Sequence, residues 1–222
     1  MCGRFSLTAD PNQLRAMFPW LIFPEKMQPR YNVAPSQPVA VVPNDGKNSV
    51  DFFLWGLIPF WSKDPNASNR MINARAETLT EKPTFKNAFK YRRCLILADG
   101  FYEWKSEPDR KSKTPMYIKL KNGHPFAFAG LWDIWRSSDG SEIPTCTIIT
   151  TEPNELMMNI HNRMPVILHE KHYPQWLETN EPDQKSLQEL LQPYPSNEMV
   201  AFQISRSINN PANDSAEVIK PI

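Results

Sequence analysis

No stretch of the 222 residues is apolar for long enough to cross a bilayer. The N-terminus also lacks the basic-then-apolar pattern of a secretory signal, which points to the cytoplasm. Cysteine is scarce: Cys2, Cys94 and Cys146 form an odd, scattered set with no C-x-x-C pair and no Cys/His cluster at metal spacing. That argues against a disulfide framework and against a structural zinc. Neither sign of charge dominates, since 25 Lys and Arg against 24 Asp and Glu leave a formal charge of +1. The protein as a whole is therefore no polycation, and any nucleic-acid site must be a local patch. Glycine is rare, 7 residues against 22 prolines, and the prolines are spread instead of gathered into a linker. This predicts many short elements joined by ordered loops, without a hinge. With 41% hydrophobic and 22% charged residues the chain can bury one sizeable core. One domain over residues 1–222 is expected, two being the alternative.

The chain opens MCGRF. Methionine is usually trimmed in front of a residue as small as cysteine, which would leave Cys2 with a free α-amine and a thiol on adjacent carbons. Such a 1,2-aminothiol can form a Schiff base with an aldehyde and then close on it through sulfur as a thiazolidine. The amine's ordinary pKa of roughly 7.7–8.0 leaves a useful neutral fraction near pH 7. Taken alone, Cys2 reads more readily as an ordinary second residue.

A basic patch is present at KPTFKNAFKYRR, where Lys82, Lys86, Lys90, Arg92 and Arg93 alternate with Phe85, Phe89 and Tyr91 and no acid intervenes. Cations interleaved with aromatics suit a phosphate-tracking groove. The same spacing suits an amphipathic helix that buries Phe85 and Phe89. Helix signals stand at DPNQLRAMF, with Asp10 as cap and Pro11 in the first turn, at TEPNELMMNIH, at DQKSLQELL and around residues 171–178. Strand-like runs are PVAVV, VDFFLW, CLILADGFYEW, PMYIKL, PFAFAGLWDIW, CTIITT and MPVIL. Many strands with a few helices between them predict an α+β fold around a curled, largely antiparallel sheet.

Four stretches are not explained by a core alone. WGLIPFW sets Trp55, Phe60 and Trp61 about Pro59, either as core or as a rigid platform for unpaired bases. In INARAET, Asn73, Arg75 and Glu77 alternate, and a strand would put them on one face away from Ile72, Ala74 and Ala76. Such a face lines a wet site or faces solvent. In ADGFYEWK, Phe101 and Glu103 share one strand face, Tyr102 and Trp104 the other. A carboxylate among aromatics is suited to general acid/base work. In IHNRMP, His161 falls in the last turn of a helix read from about Pro153, whose dipole makes it a candidate proton donor. Arg163 stands two residues on, in reach of a phosphate or carboxylate.

MCGRF, RYNVAP, WGLIPFW, INARAET, ADGFYEW and HNRMP, in that order, resemble the SOS response-associated peptidase (SRAP) family of abasic-site processing enzymes. The resemblance covers nearly the whole chain. It implies a single α+β domain with a central barrel-like, largely antiparallel sheet, peripheral helices and a positively charged groove. It further implies covalent capture of abasic sites in single-stranded DNA through a thiazolidine with Cys2, together with lyase activity and self-removal of Met1. By resemblance, Cys2 is the nucleophile and Asn73 orients it. Glu103 moves protons in ring opening and imine formation, and His161 serves scission and reversal. Arg4, Arg75 and Arg163 would grip phosphates, and Pro35, Trp55, Phe60 and Trp61 would complete the DNA-binding set. No metal or organic cofactor, no membrane and no second subunit is required, and the protein would work in the cytoplasm, on the nucleoid when bound to DNA. Two departures stand out: Ser62 follows Trp61 where some relatives carry a second tryptophan, and KDPNASN lengthens the loop before Arg70. Two other readings stay open. One is an N-terminal-nucleophile thiol peptidase acting on proteins, with His161 as its base. The other is a non-enzymatic module that binds single-stranded DNA.

Overall fold

The computed structural model describes residues 2–64, 66, 68, 71–107, 112–180 and 183–222. Met1, Arg70 and part of the KDPNASN insert lie outside the described residues. The strands in chain order are β1 (Phe5–Leu7), β2 (Arg30–Val33), β3 (Pro38–Pro43), β4 (Asp51–Trp55), β5 (Asn73–Arg75), β6 (Arg93–Ala98), β7 (Gly100–Lys105), β8 (Thr114–Leu120), β9 (Phe126–Arg136), β10 (Glu142–Thr151), β11 (Met164–Pro165), β12 (Ile167–Leu168) and β13 (Met199–Gln203). The helices are α1 (Pro11–Met17), α2 (Pro83–Tyr91), α3 (Glu155–Met158), α4 (Tyr173–Trp176) and α5 (Gln184–Glu189). The expected α+β class is borne out.

Two sheets carry the fold. The smaller runs β13-β8-β7-β1-β2, with every pairing antiparallel. In the larger, β4, β3, β6, β9 and β10 close a five-stranded ring, because β10 pairs with both β9 and β4. The sheets are largely antiparallel as expected. The exceptions are the parallel pairings of β10 with β4 and β5. Side chains from all five ring strands, among them Val41, Phe53, Ile96, Phe128 and Ile148, form one buried cluster that also takes in Phe5, Val33 and Phe101 of the smaller sheet. The opposite face of the ring, including Val42, Leu95, Leu97 and Ala129, is covered by α1, α2, α4 and α5. Burial on both faces explains why these strands read as continuous apolar runs instead of alternating ones.

Local signals behave as chemistry dictates. Asp10 accepts the backbone N–H groups of Asn12 and Gln13 while the Gln13 side chain returns to the Asp10 backbone, a reciprocal cap on α1. Phe85 and Phe89 of α2 are buried, so the amphipathic reading holds for them. Arg93 belongs to the core and not to a basic surface: it is fully buried, and its guanidinium donates to the carbonyls of Trp176, Phe89, Lys90 and Glu178.

Three runs differ from the sequence reading. CLILADGFYEW is not one strand, because the chain leaves β6 at Asp99 and enters the other sheet as β7. The Asp99 carboxylate makes that corner by accepting from the Ser6 and Thr8 hydroxyls at 2.7 Å each and from the N–H groups of Thr8 and Ala9. Gly100 is required there, since a Cβ would lie 2.2 Å from the Tyr117 hydroxyl. MPVIL is two short strands, β11 on β10 and β12 on β9. Val166 steps between them, donating to Ile149 and accepting from Ala129, both at 2.9 Å. The helix read from Pro153 to His161 is the single turn α3, capped by Asn154.

Candidate active site at the seam of the two sheets

The C-terminal end of β10 is the mounting strip for half of the site. On one edge it holds β5 in parallel, placing Asn73 opposite Ile148 and Arg75 opposite Thr150. On the other edge Thr150 pairs with Pro165 of β11, which fixes the preceding His161-Asn162-Arg163 segment. The smaller sheet supplies the other half. Cys2 and Arg4 lead into β1, which lies beside β7 with Phe5 opposite Phe101, and Glu103 is on β7.

Two contacts stitch the halves together. Asn73 Nδ2 donates to the Cys2 carbonyl at 2.8 Å across 71 positions of sequence. His161 Nε2 stands 4.0 Å from Glu103 Oε2. The four residues implied as catalytic thus meet where the sheets meet. The expected alternation in β7 holds: Phe101 packs with Cys2, whereas Tyr102 and Trp104 belong to a separate cluster with Tyr117 and Ile204. Glu103 is 3% exposed.

Cys2 is fully buried, with its Sγ 3.8 Å from the Arg4 carbonyl. Burial pushes the thiol well above the usual cysteine range, and the Glu103 carboxylate pushes it further. It is a thiol, not a thiolate, at neutral pH. The Asn73 Oδ1 is buried and, among the described residues, has no hydrogen-bond partner. His161 Nδ1 lies 3.1 Å from the Arg163 N–H and 3.2 Å from the Arg163 carbonyl. One loop therefore offers this nitrogen a donor when it is bare and an acceptor when it carries a proton. His161 itself follows α3 by three residues, with its N–H on the Met157 carbonyl at 2.8 Å. A single turn has little macrodipole, so the helix-end argument for His161 is replaced by the contact with Glu103.

The arginines divide. Arg4 Nη1 donates to Asn32 Oδ1 at 2.6 Å and to the Ile208 carbonyl at 2.8 Å, and its guanidinium lies 5.9 Å from the centre of the Trp104 ring. Burial lowers its pKa below the usual arginine value. Arg163 donates to both oxygens of Glu77 and to the Thr150 carbonyl. Arg75 is exposed at the end of β5. The strand stops there, so Glu77 sits in a 3-10 turn over Ala76–Thr78 and not on the strand face expected for it. Ile72 also departs from expectation, packing with the cluster of Cys2 while Ala74 and Ala76 pack on the other side of the barrel sheet.

Among the aromatics, Trp55 is a correction. It is fully buried, edge-on to Phe5 at 5.0 Å, and its indole N–H is on the Ile72 carbonyl at 2.9 Å, so no base can stack on it. Phe60 and Trp61 are exposed at 55% and 57%. Asp133 holds Phe60 in place, accepting its backbone N–H at 3.0 Å and pairing with Arg92, whose guanidinium lies 5.6 Å from the centre of the Phe60 ring. Pro35 is half-buried in the turn after β2.

Asn32 and Thr150 were not singled out from sequence. Asn32 is fully buried and its amide donates to the carbonyls of Ile208, Asn210 and Asn213, tying the C-terminal segment to Arg4. A polar residue between Tyr31 and Val33 in a strand was the available signal, because a buried amide must be satisfied.

The family model described as SOS response associated peptidase matches residues 1–211. The chain is 49% identical to Abasic site processing protein YoqW of Bacillus subtilis over 223 positions, covering 99% of each chain. It is 30% identical to Abasic site processing protein YedK of Escherichia coli over 231 positions, covering 100% of both. Among solved structures, a protein from Bacteroides thetaiotaomicron has the same fold with a TM-score of 0.89 at 27% identity, over 100% of both chains. With the motif order, the closed barrel and a match over residues 1–211 in agreement, the chain belongs to the SOS response-associated peptidase family.

Proposed function

We propose that this protein captures abasic sites in single-stranded DNA as a thiazolidine on Cys2, shielding the lesion during the DNA damage response. The observation that carries the reading is the meeting of Asn73, Glu103 and His161 around Cys2 at the seam. Hydrolysis of the Met1–Cys2 peptide bond, a self-processing step of the same site, first frees the α-amine. The buried, unpartnered Oδ1 of Asn73 supports its role in holding that amine. The neutral amine adds to the aldehyde of the ring-opened deoxyribose, and Glu103 passes protons as the ring opens and water leaves. The thiol then adds to the imine carbon and its proton goes to nitrogen, so one water is lost overall.

The burial that raises the thiol's pKa supports this order, amine before sulfur. His161, whose Nδ1 keeps a partner in either protonation state, is the acid/base for the imine, including lyase scission on the 3′ side and reversal. Arg75, Phe60 and Trp61 offer the exposed DNA contacts, the half-buried Pro35 joins them as a DNA-binding residue, and Arg4 and Arg163 contribute from anchored positions. A monomer acting in the cytoplasm on nucleoid DNA suffices for this chemistry. No helix among the described residues is long and apolar enough to cross a membrane.

Intact-protein mass spectrometry before and after incubation with an oligonucleotide bearing one abasic site tests the reading. Loss of Met1 and a heat-stable gain of the oligonucleotide less one water, mapped to Cys2, is expected. A processed protein with no adduct, together with cleavage of peptides in trans, would transfer the function to the peptidase reading. Glu103→Gln is expected to slow adduct formation by about 100-fold, the usual size of a general acid/base contribution. A rate unchanged from wild type would remove Glu103 from proton transfer.

A further inference from the structure

Glu77 is the charged group that this mechanism leaves unused. Its carboxylate takes Arg163 in a two-pronged pair, Nη1 to Oε1 at 2.7 Å and Nη2 to Oε2 at 3.0 Å. That fork is how a guanidinium takes a phosphate. The two partners differ in access, with the Arg163 side chain 15% exposed and that of Glu77 50%. Each is also held independently of the other. The Thr150 carbonyl accepts from Arg163 Nη2 at 2.6 Å, and Gln188 of α5 donates at 2.8 Å to the Ala76 carbonyl in the turn that carries Glu77. Hydrogen bonds from Arg163 hold the Glu77 carboxyl below the usual carboxylate range, and the charge of Arg75 adds a smaller share. An acid therefore stands beside two of the three arginines proposed to hold DNA phosphates, Arg163 and Arg75.

We propose that the Glu77 carboxylate occupies the phosphate subsite of Arg163, so that a DNA strand must displace it and intact single strands are held weakly. The inference rests on the DNA-capture reading of the site. No covalent bond changes; one anion replaces another on a fixed guanidinium. Discrimination follows, because a strand with an abasic site is retained by the bond to Cys2 whereas an intact strand has only the contested phosphate contacts. A phosphate that takes Arg163 releases a cation from DNA but exposes the Glu77 carboxylate, which gathers one. Salt dependence is thereby weaker than the number of arginines implies.

The test is fluorescence anisotropy of a short labelled oligothymidine lacking any abasic site, over a salt series, with wild type, Glu77→Gln, Arg163→Gln and the double variant. Glu77→Gln is expected to tighten binding roughly two- to fivefold at low salt, the range of a partly exposed ion pair. Its plot of log affinity against log salt should steepen by about 0.7, one single-strand phosphate contact. In the Arg163→Gln background the same change should do little. Arg163→Met, which keeps much of the volume without the charge, replaces that background if Arg163→Gln fails to fold. Glu77→Asp, with its carboxylate withdrawn by one methylene, should fall between wild type and Glu77→Gln. Equal tightening in both backgrounds would reveal a general charge effect and overturn the proposal. Unchanged or weaker binding by Glu77→Gln at an unchanged melting temperature would overturn it too. If wild type binds neither the intact strand nor one carrying an abasic site, the DNA reading itself fails and this inference falls with it.

Discussion

Cys2→Ala is expected to form no heat-stable adduct with an abasic oligonucleotide, a complete loss and not a reduction. Alanine keeps an α-amine, so a borohydride-trappable imine can still form. Without sulfur the imine has nothing to close on and hydrolyses. Cys2→Ser separates the two atoms' roles further: it retains the amine and a poorer nucleophile, so any ring formed should not survive heating. The Cys2 side chain is fully buried and packs with Phe5, Trp55 and Phe101, so both variants lose a little packing. Their melting temperatures should nonetheless stay within a few degrees of wild type, because Cys to Ala or Ser removes at most one atom from the core. A full yield of heat-stable adduct from Cys2→Ala would end the thiazolidine assignment. Full retention of every activity by Cys2→Ser would favour the non-enzymatic binding module.

Arg93→Met is expected to cost about 3 kcal/mol or more of stability, because each buried carbonyl left without a donor costs about 1–3 kcal/mol. Arg93 Nε donates to the Trp176 carbonyl at 2.9 Å, Nη1 to those of Phe89 and Lys90, and Nη2 to that of Glu178. The Phe89 and Lys90 carbonyls lie in the last turn of α2, that of Trp176 closes α4 and that of Glu178 follows it, where helix ends leave acceptors unfilled. One guanidinium thus caps two helices that cover the outer face of the barrel. Burial lowers its pKa to about 10, which still leaves it a cation at neutral pH. Methionine fills much of the volume but strands all four carbonyls. Arg93→Lys should fare little better, since donors on one nitrogen cannot reach acceptors on two helices. Urea unfolding measures both, and a loss under about 1 kcal/mol in Arg93→Met would show that water or rearranged backbone satisfies the carbonyls.

Much of this was legible from sequence where the governing physics is local. The Asp10–Gln13 cap, the inward Phe85 and Phe89, and the sharing of one face by Phe101 and Glu103 each follow from bonds or side-chain directions within a few residues. The set of motifs from MCGRF to HNRMP likewise pointed to the family that the match over residues 1–211 shows. Helix length at TEPNELMMNIH and the unbroken strand at CLILADGFYEW were misread because both depend on what lies beyond the segment. The Asp99 corner exists only because Ser6, Thr8 and Ala9 come alongside it.

Tertiary structure alone decided which polar and aromatic residues are available. Trp55, Phe60 and Trp61 stand in one seven-residue string, yet the first is sealed in the barrel and the others face solvent. Their composition and spacing carry no trace of that division, since burial is set by strands that pair from elsewhere in the chain. Arg93, Arg4 and Arg163 look alike as sequence cations, yet the first caps buried helices, the second is bonded to Asn32 and the third is paired with Glu77. The chemical types present in the site could be named from the sequence. Their assembly could not, because Cys2 and Asn73, 71 positions apart, meet only where the closing of the barrel brings its edge against the second sheet.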